Sequence, residues 1–345
     1  MDILELRAPD DWHCHLRDGF YLNRTVTDQA RQFQRSIIMP NLQPPVTTVV
    51  EANAYRQFIL EHVPEGRCFE PLMTLYLTPS MDPAQIIKAK QFANVHAVKL
   101  YPQGATTHSE HGVASLAEVY PLLSVMQDVD MVLAVHGEVT QPSVDIFDRE
   151  ARFLEQELAP IIERFPRLRI VLEHISSRQS VEFVQQAGPC VAATITPHHL
   201  LLNRNDLLVG GIKPHHYCLP IVKRQQDQSA LIAAAVSGNA KFFLGTDSAP
   251  HSQQNKESAC GCAGIYSAHA ALELYAEVFE REQALHRLED FASRFGAEFY
   301  RLPLNTSTVR LRREPWVVPD HVTFGDTQLV PFFAGQTLQW KYQYD

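Results

Sequence analysis

Short apolar runs rich in β-branched residues alternate with longer segments of helical spacing along most of the chain. We predict eight strands from these runs: Asp11–His15, Ser36–Met39, Pro71–Leu77, Ala97–Leu100, Val132–His136, Ile170–His174, Val191–Ile195 and Phe242–Gly245. The segments between them predict helices over Val49–His62, Pro83–Phe92, Ser115–Gln127, Ile146–Phe165, Gln179–Gln186 and Gln225–Val236. Eight nearly continuously apolar strands separated by helices predict an α/β protein, a (β/α)₈ barrel of the TIM type.

The two ends of the chain lie outside this alternation. The helical period is lost after Thr306, and the tail carries the apolar groups Trp316-Val317-Val318-Pro319 and Leu329-Val330-Pro331-Phe332-Phe333. We expect this tail, about residues 306–345, to pack on the barrel together with a short strand over Ile3–Leu6. Residues 1–345 are therefore predicted to form a single barrel domain with short N- and C-terminal extensions.

The charge balance excludes two classes of partner. The chain has 30 basic and 39 acidic residues, a net charge of −9, which argues against binding nucleic acid or an anionic membrane surface. No basic segment followed by an apolar one stands at the N-terminus, and no apolar run approaches the ~18 residues of a membrane span. We therefore expect a cytoplasmic protein. Composition leaves the oligomeric state open, and a homodimer is compatible with it.

Six cysteines are scattered along the chain, and we expect them to be reduced. Cys260-Gly261-Cys262 is the one close pair. A Cys-x-Cys can bind a soft metal, but no second pair stands at the spacing of a structural zinc site. We therefore interpret the segment as a tight loop.

Residues able to bind a metal stand at the ends of five predicted strands. His13 and His15 would face the same way on a strand, because successive side chains alternate. The fourth, fifth, sixth and eighth strands end at or near Lys99, His136, His174 and Asp247. Each residue alone has an ordinary explanation, such as a buried histidine or a helix-capping aspartate. Because the carboxyl ends of barrel strands meet at one face, their coincidence predicts a shared metal centre.

The same arrangement resembles the amidohydrolase superfamily, and Lys99 on the fourth strand resembles its binuclear branch. The chain is most similar to dihydroorotases of the short, single-function type, from about residue 3 to the C-terminus. The motifs that carry this resemblance are Asp11-Trp12-His13-Cys14-His15-Leu16-Arg17-Asp18-Gly19, Met39-Pro40-Asn41-Leu42, Lys99-Leu100-Tyr101-Pro102, Val135-His136-Gly137-Glu138, Tyr217-Cys218-Leu219-Pro220, Gly245-Thr246-Asp247-Ser248-Ala249-Pro250-His251 and Lys256-Glu257-Ser258 through Cys260-Gly261-Cys262-Ala263-Gly264.

The resemblance implies two Zn²⁺ ions per chain, with manganese or cobalt as metals that the ligands would also accept. It places His13, His15 and Asp247 on the more buried ion and His136 and His174 on the more exposed one. Lys99, carboxylated on its side-chain nitrogen, would bridge the two. Asp247 would also be the catalytic residue that accepts and returns the proton. The implied reaction is the reversible cyclisation of N-carbamoyl-L-aspartate to L-dihydroorotate with release of water, in de novo pyrimidine synthesis.

A small acidic substrate requires local positive charge in an acidic protein. Arg17 lies two residues past His15, on the same face of a continued strand, and its planar guanidinium can bind a carboxylate through two hydrogen bonds. Asn41 and His251 would add donors. By resemblance, His136 and the backbones of Leu219 and Ala263 also contact the substrate, and Thr106 and Thr107 form a lid within the long connection from Tyr101 to Ser115.

Two alternatives remain open at this point. Another cyclic amidase of the superfamily, such as a hydantoinase, dihydropyrimidinase or allantoinase, would share the metals but lack the carboxylate-binding group Arg17, Asn41 and His251. A non-catalytic barrel used for assembly would have lost metal ligands, whereas all six positions are filled in this sequence.

Overall fold

The computed structural model describes residues 2–92 and 94–343. After a first strand, β1 (Ile3–Arg7), eight parallel strands follow one another in a single barrel-shaped sheet, each pairing with the next. They are β2 (Asp10–Cys14), β3 (Arg35–Ile38), β4 (Glu70–Tyr76), β5 (Val95–Leu100), β6 (Val132–Val135), β7 (Ile170–Leu172), β8 (Val191–Ile195) and β9 (Phe242–Leu244). A parallel bridge between Cys14 of β2 and Ser248, four residues beyond β9, brings the first and last of them together. The predicted (β/α)₈ barrel is confirmed.

Helices connect the strands and cover the outside of the sheet. They are α1 (Leu22–Gln32), α2 (Val49–Glu61), α3 (Pro83–Gln91), α4 (Tyr120–Asp128), α5 (Arg149–Phe153), α6 (Ala159–Arg164), α7 (Arg178–Gln186), α8 (Pro197–Leu201), α9 (Arg204–Leu208), α10 (Gln225–Val236), α11 (Gln253–Lys256), α12 (Ala271–Arg281) and α13 (Phe295–Tyr300). Local chemistry sets their starts: α2 begins where the Thr48 hydroxyl accepts from the Glu51 amide, and Glu51 reaches back to the Thr48 amide.

The sequence pattern predicts α2, α3, α7 and α10 to within a residue or so, but it misses several helices. The helix α12 was missed although its polar residues Glu273, Glu277, Glu280 and Arg281 recur at helical spacing. The helix α1 buries polar residues such as Asp28, Gln29 and Gln32, which hide its inner face from a hydrophobicity pattern. The predicted helix over residues 146–165 is instead α5 and α6, joined through a wider helical turn over Leu154–Leu158.

The chain ends form a separate sheet beside the barrel. The strand β10 (Thr308–Val317) pairs antiparallel with β1 on one side and with β13 (Thr337–Gln343) on the other. Two further strands, β11 (Val322–Phe324) and β12 (Thr327–Leu329), make a hairpin between them. The buried ring of Trp340 on β13 donates a 3.1 Å hydrogen bond to Glu280 on α12, which fastens this sheet to the barrel helices.

The apolar core has two layers, as expected for strands covered on both faces. One layer fills the barrel interior and includes Ile37, Leu72, Ala97, Val171 and Phe243. The other lies between the sheet and the helices and contains the alternate residues along the same strands: Ile38, Met73, Val98, Leu172 and Leu244.

The helix α13 closes the amino-terminal end of the barrel. Its backbone accepts a hydrogen bond from a side chain at the start of a barrel strand. The guanidinium of Arg169, just before β7, donates to the Phe299 carbonyl at 2.6 Å. The rings of Trp12 and Tyr300 stack at 4.6 Å. Gly296 permits this approach, since a β-carbon there would overlap the indole of Trp12.

Within residues 2–92 and 94–343, the helices are all too short or too polar to cross a membrane.

Candidate metal centre

The strand β2 and the residue after it deliver two imidazoles to the carboxyl end of the barrel. His13 and His15 point to the same side, with their Nε2 atoms 3.3 Å apart, while Cys14 packs into the outer apolar layer. This is the alternation of side chains along an extended chain. Both imidazoles are buried, so their polar atoms need partners inside the protein.

Asp247 completes a compact group of donor atoms. Its Oδ1 lies 3.3 Å from His13 Nε2 and 3.1 Å from His15 Nε2. Ligands held at ~2.0 Å from a tetrahedral zinc ion stand roughly 3.3 Å from one another. The three separations of 3.1–3.3 Å therefore fit a single ion among these atoms.

The other predicted ligands surround this group. The His174 ring lies 5.0 Å from that of His13 and 4.8 Å from that of His136. Lys99, on β5, is fully buried, and its Nζ has no hydrogen-bond partner among residues 2–92 and 94–343. A buried amine without a partner is costly, and a bound group would relieve that cost.

The strands end earlier than the sequence predicts. The strand β7 stops at Leu172 and β9 at Leu244, so His174 and Asp247 lie two and three residues beyond them. Both residues have left-handed backbone conformations, with φ of 42° and 44°. Such a conformation costs about 1 kcal/mol or more for a residue other than glycine. Hydrogen bonds hold both turns: the Asp247 amide donates to the His13 carbonyl at 2.8 Å, and the His174 amide to Thr194 Oγ1 at 2.7 Å.

The electrostatics of Lys99, His15 and Asp247 favour the protonation states that bind metals. Burial lowers the pKa of Lys99 to about 8 and the pKa of His15 to about 4. Burial raises the pKa of Asp247, but its close contacts with the rings of His13 and His15 outweigh this and bring that pKa well below its usual value. Near neutral pH the aspartate is thus anionic, His15 is neutral, and part of the lysine is a free amine.

Two buried carboxylates that the sequence analysis did not select stand behind the imidazoles. Glu173 lies 2.9 Å from His13 Nδ1, and Glu138 lies 2.8 Å from His136 Nε2. The sequence carries one signal for them, because each is an acidic residue within two positions of a histidine at the end of an apolar run.

The predicted substrate-binding residues lie on one side of the centre. The Arg17 Nη2 is 3.0 Å from His251 Nε2, which is 3.1 Å from the Ala263 carbonyl oxygen. Asn41 Oδ1 lies 2.8 Å from His15 Nδ1. Arg17 also has a left-handed backbone, with φ of 63°. Positive charge is thus placed beside the metal ligands in a protein of net negative charge.

A small cavity of about 20 Å³ separates these residues from the imidazoles, enough for about one water molecule. The predicted contacts that line it are Arg17, Asn41, His136, Leu219, Ala263, Thr106 and Thr107. Lys99 and His251 do not line this inner cavity. His251 instead lines an outer cavity of about 350 Å³, which shares Arg17, Asn41 and Thr107 with the inner one. Asn41 Nδ2 donates to the Thr107 carbonyl at 3.2 Å, so the loop residues form part of the wall between the cavities.

A second buried group, His198, His199 and Cys218, was not predicted. His199 already uses both ring nitrogens, with Thr196 Oγ1 at 2.8 Å and the Pro220 carbonyl at 2.9 Å. His199 is therefore held by hydrogen bonds, whereas both ring nitrogens of His198 are buried without a hydrogen-bond partner among the residues that the structure describes. Cys260 and Cys262 lie in a loop as free thiols.

Comparisons with known proteins show the family to which the chain belongs. Residues 11–336 match the model of the amidohydrolase family. A dihydroorotase from Coxiella burnetii is 61% identical over 341 residues, which cover 99% of this chain and 98% of the relative. A crystal structure of dihydroorotase from Campylobacter jejuni superposes with a TM-score of 0.91 at 34% identity, covering 100% of this chain and 98% of the other. The Saccharomyces cerevisiae dihydroorotase in complex with 5-fluoroorotic acid gives 0.90 at 33% identity, with coverages of 100% and 99%.

Proposed function

The chain belongs to the dihydroorotase family of the amidohydrolases, and we infer that its barrel pocket carries out that family's reaction. It is a metal-dependent cyclic amide hydrolase with a small-molecule substrate. We assign it the interconversion of N-carbamoyl-L-aspartate and L-dihydroorotate in pyrimidine biosynthesis. The observation that carries this assignment is the group of donor atoms on His13, His15 and Asp247, 3.1–3.3 Å apart, beside the guanidinium of Arg17.

We propose that the predicted ligands hold two divalent ions. His13, His15 and Asp247 would hold the more buried one, and His136 and His174 the other. Imidazole and carboxylate ligands suit zinc. When bound, the ions would lower the pKa of water from 15.7 toward ~7 and polarise the carbonyl of the amide that is cleaved.

Lys99 would bridge the two ions after taking up CO₂ to form an anionic carbamate. Only the neutral amine reacts with CO₂, and the pKa of about 8 that burial gives Lys99 leaves a reactive fraction near neutral pH. The unpartnered Nζ supports the same assignment. Lys99→Ala should reduce the metal content per chain, and added short carboxylic acids should partly restore it by supplying the missing carboxylate. An unchanged metal content would contradict this role.

Asp247 would move the proton. Ring opening adds water across the amide bond, with oxygen going to the carbonyl carbon and a proton to the ring nitrogen. The Asp247 carboxylate, anionic because of its lowered pKa, would accept the proton from water and deliver it to that nitrogen. Cyclisation reverses these steps and releases water. It requires a protonated side-chain carboxyl on the substrate, whereas ring opening consumes hydroxide, so pH should set the preferred direction.

The substrate carboxylate would bind to Arg17, Asn41 and His251, and the backbones of Leu219 and Ala263 would meet the polar edge of the ring. Asn41 Nδ2 donates to the Thr107 carbonyl in this structure. The second N–H of Asn41 Nδ2 would then donate to the carboxylate. We propose that Thr106 and Thr107 act as a lid that rearranges as the substrate enters.

The carboxylate-binding group also separates this function from other cyclic amidases. We expect kcat/KM for ring opening of dihydroorotate to exceed that for uncharged dihydrouracil or hydantoin about 100-fold or more, because the uncharged rings leave Arg17 unpaired. Steady-state rates with the three substrates test this. Equal turnover of hydantoin would overturn the assignment, and fewer than one metal ion per chain would favour the non-catalytic alternative.

We also propose that residues 1–345 act as one domain. The pairing of β10 with both β1 and β13, and the contact of β13 with α12, support including the tail from about residue 306 in that domain.

A further inference from the structure

One buried carboxylate is linked by hydrogen bonds to a histidine of each proposed metal site, directly to one and through a threonine to the other. Glu173 stands between β7 and His174, and its side chain is fully buried. Its Oε2 lies 2.9 Å from His13 Nδ1 and accepts a 2.6 Å hydrogen bond from Thr194 Oγ1. Thr194 Oγ1 in turn accepts the His174 amide at 2.7 Å. A continuous chain of hydrogen bonds thus runs from His13 through Glu173 and Thr194 to His174.

We propose that Glu173 is a positioning residue that orients a histidine of each metal site at once. It fixes the side chain of His13 directly and the backbone of His174 through Thr194. The proposal deepens the proposed function, because it rests on the metal centre assigned there.

The direct contact determines which nitrogen of His13 is free. A carboxylate that accepts from Nδ1–H keeps the proton on that nitrogen, so the lone pair of the neutral ring lies on Nε2. His13 Nε2 is the atom that faces His15 Nε2 and Asp247 Oδ1 at 3.3 Å. The negative charge of Glu173 also makes the imidazole a stronger ligand.

The indirect contact holds a strained turn. His174 has φ of 42°, a conformation that needs support from its surroundings. The Thr194 hydroxyl supplies it by accepting the His174 amide. Thr194 cannot move toward β9, because Gly245 leaves no room: a β-carbon there would lie 2.6 Å from the Thr194 β-carbon. Thr194 therefore transmits the position of Glu173 to the His174 backbone.

Glu138 provides a matched control. It is equally buried, and its side chain lies 2.8 Å from His136 Nε2. It therefore contacts one imidazole of the more exposed site and leaves Nδ1 of that ring to face a metal. Removing its charge should affect one site, whereas removing the charge of Glu173 should affect both.

The experiment measures zinc affinity by competition with a coloured chelator, together with the visible spectrum of the cobalt-loaded protein. In Glu173→Gln we expect zinc affinity about 10–100-fold weaker at both sites and an altered cobalt spectrum. In Glu138→Gln one site alone should weaken. In Thr194→Val the site of His174 should weaken more than that of His13, which keeps its carboxylate.

Several outcomes would overturn the proposal. Wild-type affinities and spectrum in Glu173→Gln would do so, as would a lowered Tm with unchanged zinc affinity, which marks a merely structural role. If Glu173→Gln does not fold, Thr194→Val decides, and unchanged affinity at both of its sites counts against the proposal.

If the wild-type protein binds no zinc, the metal centre itself fails. If it binds two ions and opens dihydroorotate normally while Glu173→Gln binds zinc equally well, only the positioning role fails.

Discussion

The two ends of the barrel are built from the same strands and differ in chemistry. Inward-facing positions recur every second residue, and the apolar ones lie nearer the amino end: Ala97, Ala134, Val171 and Phe243. Lys99, His136 and Glu173 follow the first three of these residues by two positions each. Asp247 follows Phe243 by four positions. The candidate site thus continues the inner face of the core by one or two positions of the pleat.

Stability and chemistry depend on opposite ends of the barrel. The amino end is closed by stacked aromatic rings and the helix α13. The carboxyl end has left-handed turns at Arg17, His174 and Asp247 and buried groups that would be costly without partners. The favourable free energy of packing at the amino end can offset the strain of the left-handed residues at the carboxyl end. Substitutions at the two ends should therefore change different measurements.

The largest effect should come from Asp247→Ala. Loss of the proposed proton carrier should lower kcat for ring opening about 10³–10⁴-fold. The Tm should stay near that of the wild-type protein, because the apolar end is untouched. Steady-state kinetics and thermal unfolding measure the two quantities, with Asp247→Asn as the variant of equal size. Near-normal turnover in either variant would remove Asp247 from the mechanism.

Substitution of Glu150 tests whether a buried charged group at the carboxyl end of the barrel contributes to stability rather than to the reaction. It accepts hydrogen bonds from the amides of Ser176 and Ser177 and lies 3.5 Å from Lys223 Nζ. Burial raises its pKa, but Lys223 and neighbouring serine hydroxyls outweigh this and lower it to about 2 from an ordinary value of 4.5. Since the folded pKa is the lower one, its stabilisation is fully present above pH 4.5 and is lost as the pH falls toward 2.

We therefore expect the difference in unfolding free energy between the wild-type protein and Glu150→Gln to shrink by about 3 kcal/mol over that pH range. Denaturant unfolding at several pH values measures it. A difference that does not vary with pH would show that folding does not lower the pKa of Glu150.

At the amino end, Gly296→Ala should destabilise without affecting chemistry. The added methyl group overlaps Trp12, and overpacking of this kind costs about 1–3 kcal/mol. Gly188→Ala is the control, because its added methyl group meets no atom within 4 Å in the described chain. We expect a lower unfolding free energy in the first variant, with kcat and KM unchanged in the folded protein. A large fall in kcat would show that the two ends are coupled.

The smallest effect is expected from Arg17→Ala, which should raise KM for dihydroorotate about 10–100-fold through the loss of a charge-assisted contact. Arg17→Lys keeps the charge but loses the planar pair of donors, so it should restore part of the affinity. Initial rates over a range of substrate concentrations separate KM from kcat. An unchanged KM would place the substrate carboxylate elsewhere.

The strand periodicity was sufficient to predict the barrel and the residues at its rim. It could not predict where β7 and β9 end, because the turns at His174 and Asp247 depend on hydrogen bonds from distant strands. Glu173 was missed for the same reason: its partners are His13 and Thr194, 160 and 21 residues away. The position of His251 on the outer cavity depends on loop packing, which no local pattern encodes. The roles of these residues stay predictions.

The pairing of β1 with β10 has a consequence for synthesis of the chain. Ile3 lies opposite Arg312, and Arg7 opposite Thr308, so β1 is synthesised about three hundred residues before the strand that pairs with it. Until then β1 has unpaired backbone groups along both edges, which are open to association with other chains. Nascent protein should thus be most vulnerable to aggregation before β10 is synthesised, and shielding of β1 should matter most during that interval.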